Sequence, residues 1–73
     1  MNMEMSPEEV KKIAVDIAAS VLKISPAKVA DDTRLSGAEL YVFALWFVVK
    51  TGKPLIVYDP QDGMTIMEIV SVA

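Results

Sequence analysis

The chain has no cysteine and no histidine. Without cysteine there are no disulfides or thiolate nucleophiles, and without histidine there is no imidazole base. Together the two absences exclude a zinc site of the Cys/His type. A cysteine-free chain suits a reducing compartment, and the cytoplasm is the expected location. Basic residues are scarce as well: seven against ten acidic ones, for a formal net charge of −3. That sign opposes a phosphate backbone, and the basic residues are scattered rather than gathered on a face. Nucleic-acid binding, including the helix-turn-helix kind, is therefore not expected. No apolar run reaches the roughly 20 residues of a membrane span. The longest, at 40–49, falls well short and lies too far into the chain for a signal peptide. Aromatic residues make up only 7% of the chain, yet Phe43, Trp46 and Phe47 fall close together.

What is present suits one small helical domain. Apolar residues account for 53% of 73 residues, enough for a compact core without crosslinks, though domains of this size have thin stability margins. Residues 1–5 show no hydrophobic period and are expected to be a disordered start, with a single domain at 6–73. A first helix opens with Ser6 as N-cap, Pro7 at the first helical position and Glu9 completing a capping box. Val10, Ile13, Ala14, Ile17, Ala18, Val21 and Leu22 then follow the i, i+3, i+4 rhythm of one buried stripe. Ser25-Pro26 should end this helix, because the residue before proline avoids the helical region. The segment 27–35 reads as a loop with at most one helical turn. Val29 and Leu35 plug the core there, and Asp31, Asp32 and Thr33 form turns.

A second helix is expected at 37–51, with Ser36 and Glu39 as another capping box, Gly52 at the left-handed end and Pro54 beyond it. Glu39 and Lys50 share one narrow stripe, and every residue between 40 and 49 is apolar. If that stripe marks the outward side, Leu40, Ala44, Leu45 and Val48 face the core, while Phe43, Trp46 and Phe47 flank the stripe. Contiguous exposed aromatic surface marks interaction sites, so Glu39, Phe43, Trp46 and Phe47 are the candidate partner-binding residues. Residues 55–58 could form a strand, but no convincing partner strand exists and an extended connection is expected. Asp59-Pro60 opens a single turn closed by Gly63. Thr65 and Glu68 then cap a last helix that turns Ile66, Ile69, Val70 and Ala73 inward.

No catalytic triad, carboxylate pair or glycine-rich phosphate loop occurs, so no enzymatic activity is expected. Asp31 and Asp32 supply too few oxygens for a hard cation, so no metal site is expected, and Asp59 and Asp62 read as turn residues.

The succession Val21-Leu22-Lys23-Ile24-Ser25-Pro26, a polar loop through Asp31-Asp32-Thr33, the plug Leu35 and a second helix from Ser36-Gly37-Ala38-Glu39-Leu40 resembles the acyl carrier protein family. The resemblance spans most of the chain and rests on apolar spacing and turn residues. It implies an all-α fold, a small three- or four-helix bundle whose short third helix precedes a closing fourth. It also implies a tethering or docking role in fatty-acid, polyketide or nonribosomal-peptide type metabolism. In that family the serine of an Asp-Ser-Leu tripeptide carries phosphopantetheine; here Ser36 stands between Leu35 and Gly37, and is the one serine placed to bear the arm. A helix start suits such a phosphodiester. No other cofactor is implied. The family's second helix is its recognition helix, and its acidic run is replaced here by Leu45-Trp46-Phe47-Val48. The alternative is a degenerate relative without the arm, acting as an interaction or homodimerisation module through an apolar second helix.

Overall fold

The structure, a computed structural model, describes residues 5–73. Expectations for residues 1–4 lie outside that range. Met5 does not belong to a loose start, because its side chain packs against the core.

Helix α1 runs Pro7–Leu22 and begins as its sequence dictates. The Ser6 hydroxyl accepts from the Glu9 N–H at 3.2 Å, and the Glu9 carboxylate accepts from the Ser6 N–H at 3.3 Å. Its inner stripe is Val10, Ala14, Ile17 and Ala18. The two alanines let neighbouring elements approach closely, and α1 packs on both of the other helices. The helix stops before the proline, at Lys23, which takes the left-handed conformation with φ 59°. A 3-10 turn, Pro26–Lys28, follows, with Ser25 accepting from the Ala27 N–H at 3.3 Å.

Helix α2 runs Gly37–Thr51 and ends at Gly52, whose φ of 71° fits the C-terminal left-handed position. The segment 53–57 has no regular secondary structure and pairs with no strand; Leu55 and Val57 lean on the core. Residues 60–62 form a turn rather than a short helix. Asp59 Oδ1 accepts from the Gln61 and Asp62 N–H groups, and the Gly63 N–H donates to the Asp59 carbonyl, so the turn closes on itself. Helix α3, Ile66–Val72, starts with the expected Thr65–Glu68 capping box. It turns Ile66 and Ile69 inward and leaves Ala73 exposed.

The described residues are thus mainly helical: three α-helices around one core. A two-residue antiparallel ladder joins β1, Arg34–Leu35, to β2, Met64–Thr65. This ladder has a positional role. With the Ile66 N–H on the Thr33 carbonyl and the Met67 N–H on the Asp31 carbonyl, it fixes the start of α3 beside the start of α2. Leu35 is fully buried between them, as a plug should be.

Candidate functional site

Helix α2 decides where a site can lie. Its inward arc is Leu40, Phe43 and Phe47, all 0% exposed. The two phenylalanines are one turn apart and stack, with centroids 5.6 Å apart and planes inclined by 19°. Phe43 and Phe47 therefore form the core and are not available to a partner. The assignment of α2 faces is reversed elsewhere too: Leu45, expected inside, is 62% exposed, and Val48 is exposed. The reason is steric. The bundle interior closes over a single stripe, and at about 100° per residue Leu40, Phe43 and Phe47 form it, while Trp46, the bulkiest side chain of the helix, falls on the flank. The Glu39/Lys50 stripe then falls at the edge of the helix, where long charged side chains reach water past an apolar stem.

The outward arc is consequently free of charge. It carries Tyr41, Val42, Leu45, Trp46, Val48 and Val49, all exposed, with Trp46 at 50%. Trp46 and Glu39 keep their expected accessibility; Phe43 and Phe47 do not. Tyr41 and Val49 carry no expectation from the sequence, and Leu45 was expected inside. No periodic signal marked them, because every residue from 40 to 49 is apolar.

Beside this arc lies a groove of about 800 Å³ between α1 and α2. Ile13, Ile17 and Val21 of α1 and Val42 and Trp46 of α2 supply its apolar lining. Asp16, Glu39 and Lys50 supply its charge. Trp46 and Val42 thus belong both to the groove and to the outward arc.

At the other end of α2, Ser36 is half-buried, and its side chain makes no capping bond, contrary to the capping box expected with Glu39. The backbone there is not that of a regular helix start. Gly37 takes φ +60°, and its N–H donates to the Pro60 carbonyl at 2.7 Å, so the 59–63 turn occupies the start of the helix. Gly63 packs there so tightly that an added Cβ would collide with the Leu35 carbonyl oxygen and crowd the Ser36 Cβ. Arg34 holds the same turn through the Asp62 carbonyl at 2.8 Å. A phosphate at this helix start would find the first N–H already engaged.

The carboxylates expected to be inert are engaged structurally. Asp31 pairs with Lys11 at 2.7 Å, tying the loop to α1. Glu68, in its capping box, is held below the usual glutamate range by the Thr65 N–H and then the Thr65 hydroxyl; Arg34 adds a smaller push in the same direction. No helix among the described residues is long and apolar enough to cross a membrane. No family model matches the chain, and neither does any curated protein or solved structure.

Proposed function

We propose that this chain is a small docking domain of acyl-carrier type that meets a protein partner through the outward face of α2 and performs no chemistry of its own. One observation carries the reading: an uninterrupted uncharged arc, from Val48 through Leu45 to Trp46, is exposed on a helix whose opposite side already fills the core. Scattered single apolar side chains on a surface are ordinary, but a contiguous set with tryptophan at its edge is typical of an interface. Placing the photo-crosslinking residue p-benzoylphenylalanine at Leu45, with Lys12 as control, tests it. Adducts formed only from position 45, and lost in Val42→Glu, support docking. Equal labelling from both positions, or none, refutes it.

A second reading, the armed carrier, is favoured by the Ser36 hydroxyl, which is free of any capping duty at the head of α2. Incubation with coenzyme A and a broad-specificity phosphopantetheinyl transferase, followed by intact mass measurement, separates the two. A gain of one arm that disappears in Ser36→Ala supports a carrier; an unchanged mass favours docking without the arm.

A further inference from the structure

The partner that best fits the α2 face is a second α2. Resting on the docking reading above, we infer that two copies of this chain pair through their α2 helices, antiparallel about a twofold axis, with Glu39 of each copy beside Lys50 of the other.

Three observations lead there. The first is spacing. Ala38, Val42, Leu45 and Val49 lie along the middle of the outward arc at 4-3-4 intervals, the a and d positions of a helix pair. In an antiparallel pair Val42 packs against Leu45 of the second copy and Ala38 against Val49. Each layer joins a smaller side chain to a larger one, and the alanine layers let the helix ends approach.

The second is charge. The chain carries −3 overall, so two copies repel over most of their surface. The α2 face is the exception: its arc carries no charged residue, and Glu39 and Lys50 at its rim cancel. They stand at opposite ends of the helix on one stripe. A twofold axis through the middle of the helix exchanges those ends, so each glutamate meets a lysine and the dimer holds two such pairs. A parallel pair would set glutamate against glutamate and lysine against lysine. Antiparallel helices also oppose their dipoles favourably. An isologous contact requires this self-complementarity of one patch, and α2 has it in both shape and charge.

The third is the groove. Trp46 follows Leu45 on the flank that carries Glu39, and in antiparallel pairing this flank meets its own copy. Trp46 of the second copy is thereby brought over Glu39, at the mouth of the α1–α2 groove. That groove, about 800 Å³ and lined by Ile13, Ile17 and Val21, has room for an indole. Asp16 and Glu39 offer acceptors there for its N–H.

The chain has one tryptophan, which makes the test direct. Sedimentation equilibrium should give a dimer, and on dilution the Trp46 emission should shift to the red as the dimer separates. Leu45→Glu should be monomeric, with an unchanged circular dichroism spectrum. Glu39→Lys and Lys50→Glu should each weaken the dimer about tenfold, since each replaces two attractive contacts by repulsive ones. The double variant should restore it. A folded monomer at every concentration up to about 1 mM, well above the micromolar Kd of a modest interface, overturns the inference. So does a dimer indifferent to both charge reversals. If the chain is monomeric but still crosslinks to another protein from position 45, self-pairing falls and the docking reading stands. If no crosslink forms at all, both fall.

Discussion

The two sides of α2 are made of the same kind of residue and have opposite fates. Leu40, Phe43 and Phe47 are sealed within the bundle, whereas Tyr41, Leu45 and Val49 face water. Hydropathy does not distinguish them. Position does: the inner three join Val10, Ala14, Ile17 and Ala18 of α1 in one core, and among the described residues no second layer covers the outer three. Helix α1 is the contrasting case. Its polar residues Lys11, Lys12, Asp16 and Ser20 are all exposed, so one face was already marked for water. A helix with a polar face states its orientation, while an apolar helix leaves that choice to its neighbours and exposes what remains. The exposed remainder is where an interaction becomes favourable.

The contrast is tested most sharply by truncating one residue on each side. Phe47→Ala should cost about 3–5 kcal/mol, from lost burial plus the cavity left behind, and in so small a domain this should leave much of the chain unfolded. Leu45→Ala, in the same helix, should stay within about 0.5 kcal/mol in the isolated subunit. Urea denaturation at low protein concentration measures both, and equal losses would mean the faces are wrongly assigned. Next is the turn that seats the head of α2. Gly63→Ala should destabilise by about 3 kcal/mol, since it combines a left-handed backbone with a contact against the Leu35 carbonyl. A neutral result would show that this corner is loosely held.

Two smaller effects compare the ends of α1 and α3. Lys23 occupies the left-handed region that glycine prefers, so Lys23→Gly should stabilise the fold by about 0.5–1 kcal/mol, read as a raised Tm. Glu68 supplies the pH-dependent test. Its pKa is depressed in the folded state, so its contribution is present above the unfolded carboxylate value and is lost as pH falls through the folded one. Glu68→Gln should therefore lower Tm at neutral pH, and the difference from the parent should shrink below about pH 4. A gap independent of pH would show that the carboxylate charge is not what the Thr65 cap uses.

The parts of the fold readable from sequence were local. The Ser6–Glu9 and Thr65–Glu68 boxes formed because each links residues three apart and needs nothing else. The Ser36–Glu39 pair has the same spacing but formed no such box; Gly37, between them, takes φ +60°, where a regular first helical residue has negative φ. The outward placement of Trp46 was legible from the sequence. That of Tyr41, Leu45 and Val49 was not, since the Glu39/Lys50 stripe pointed to the edge of the helix rather than to its exposed middle.

Amino-acid order alone thus determined the helix starts, the stop at Gly52, the Leu35 plug and the inner stripe of α1. These depend on backbone groups and side chains within a turn or two of one another. Only the tertiary structure decided which side of α2 meets water and what became of Ser36. An all-apolar helix has no periodic signal to orient it, and a hydrogen bond from a turn some twenty residues away leaves no local trace. The packing of α2 on its neighbours and the backbone conformation at Gly37 settled them.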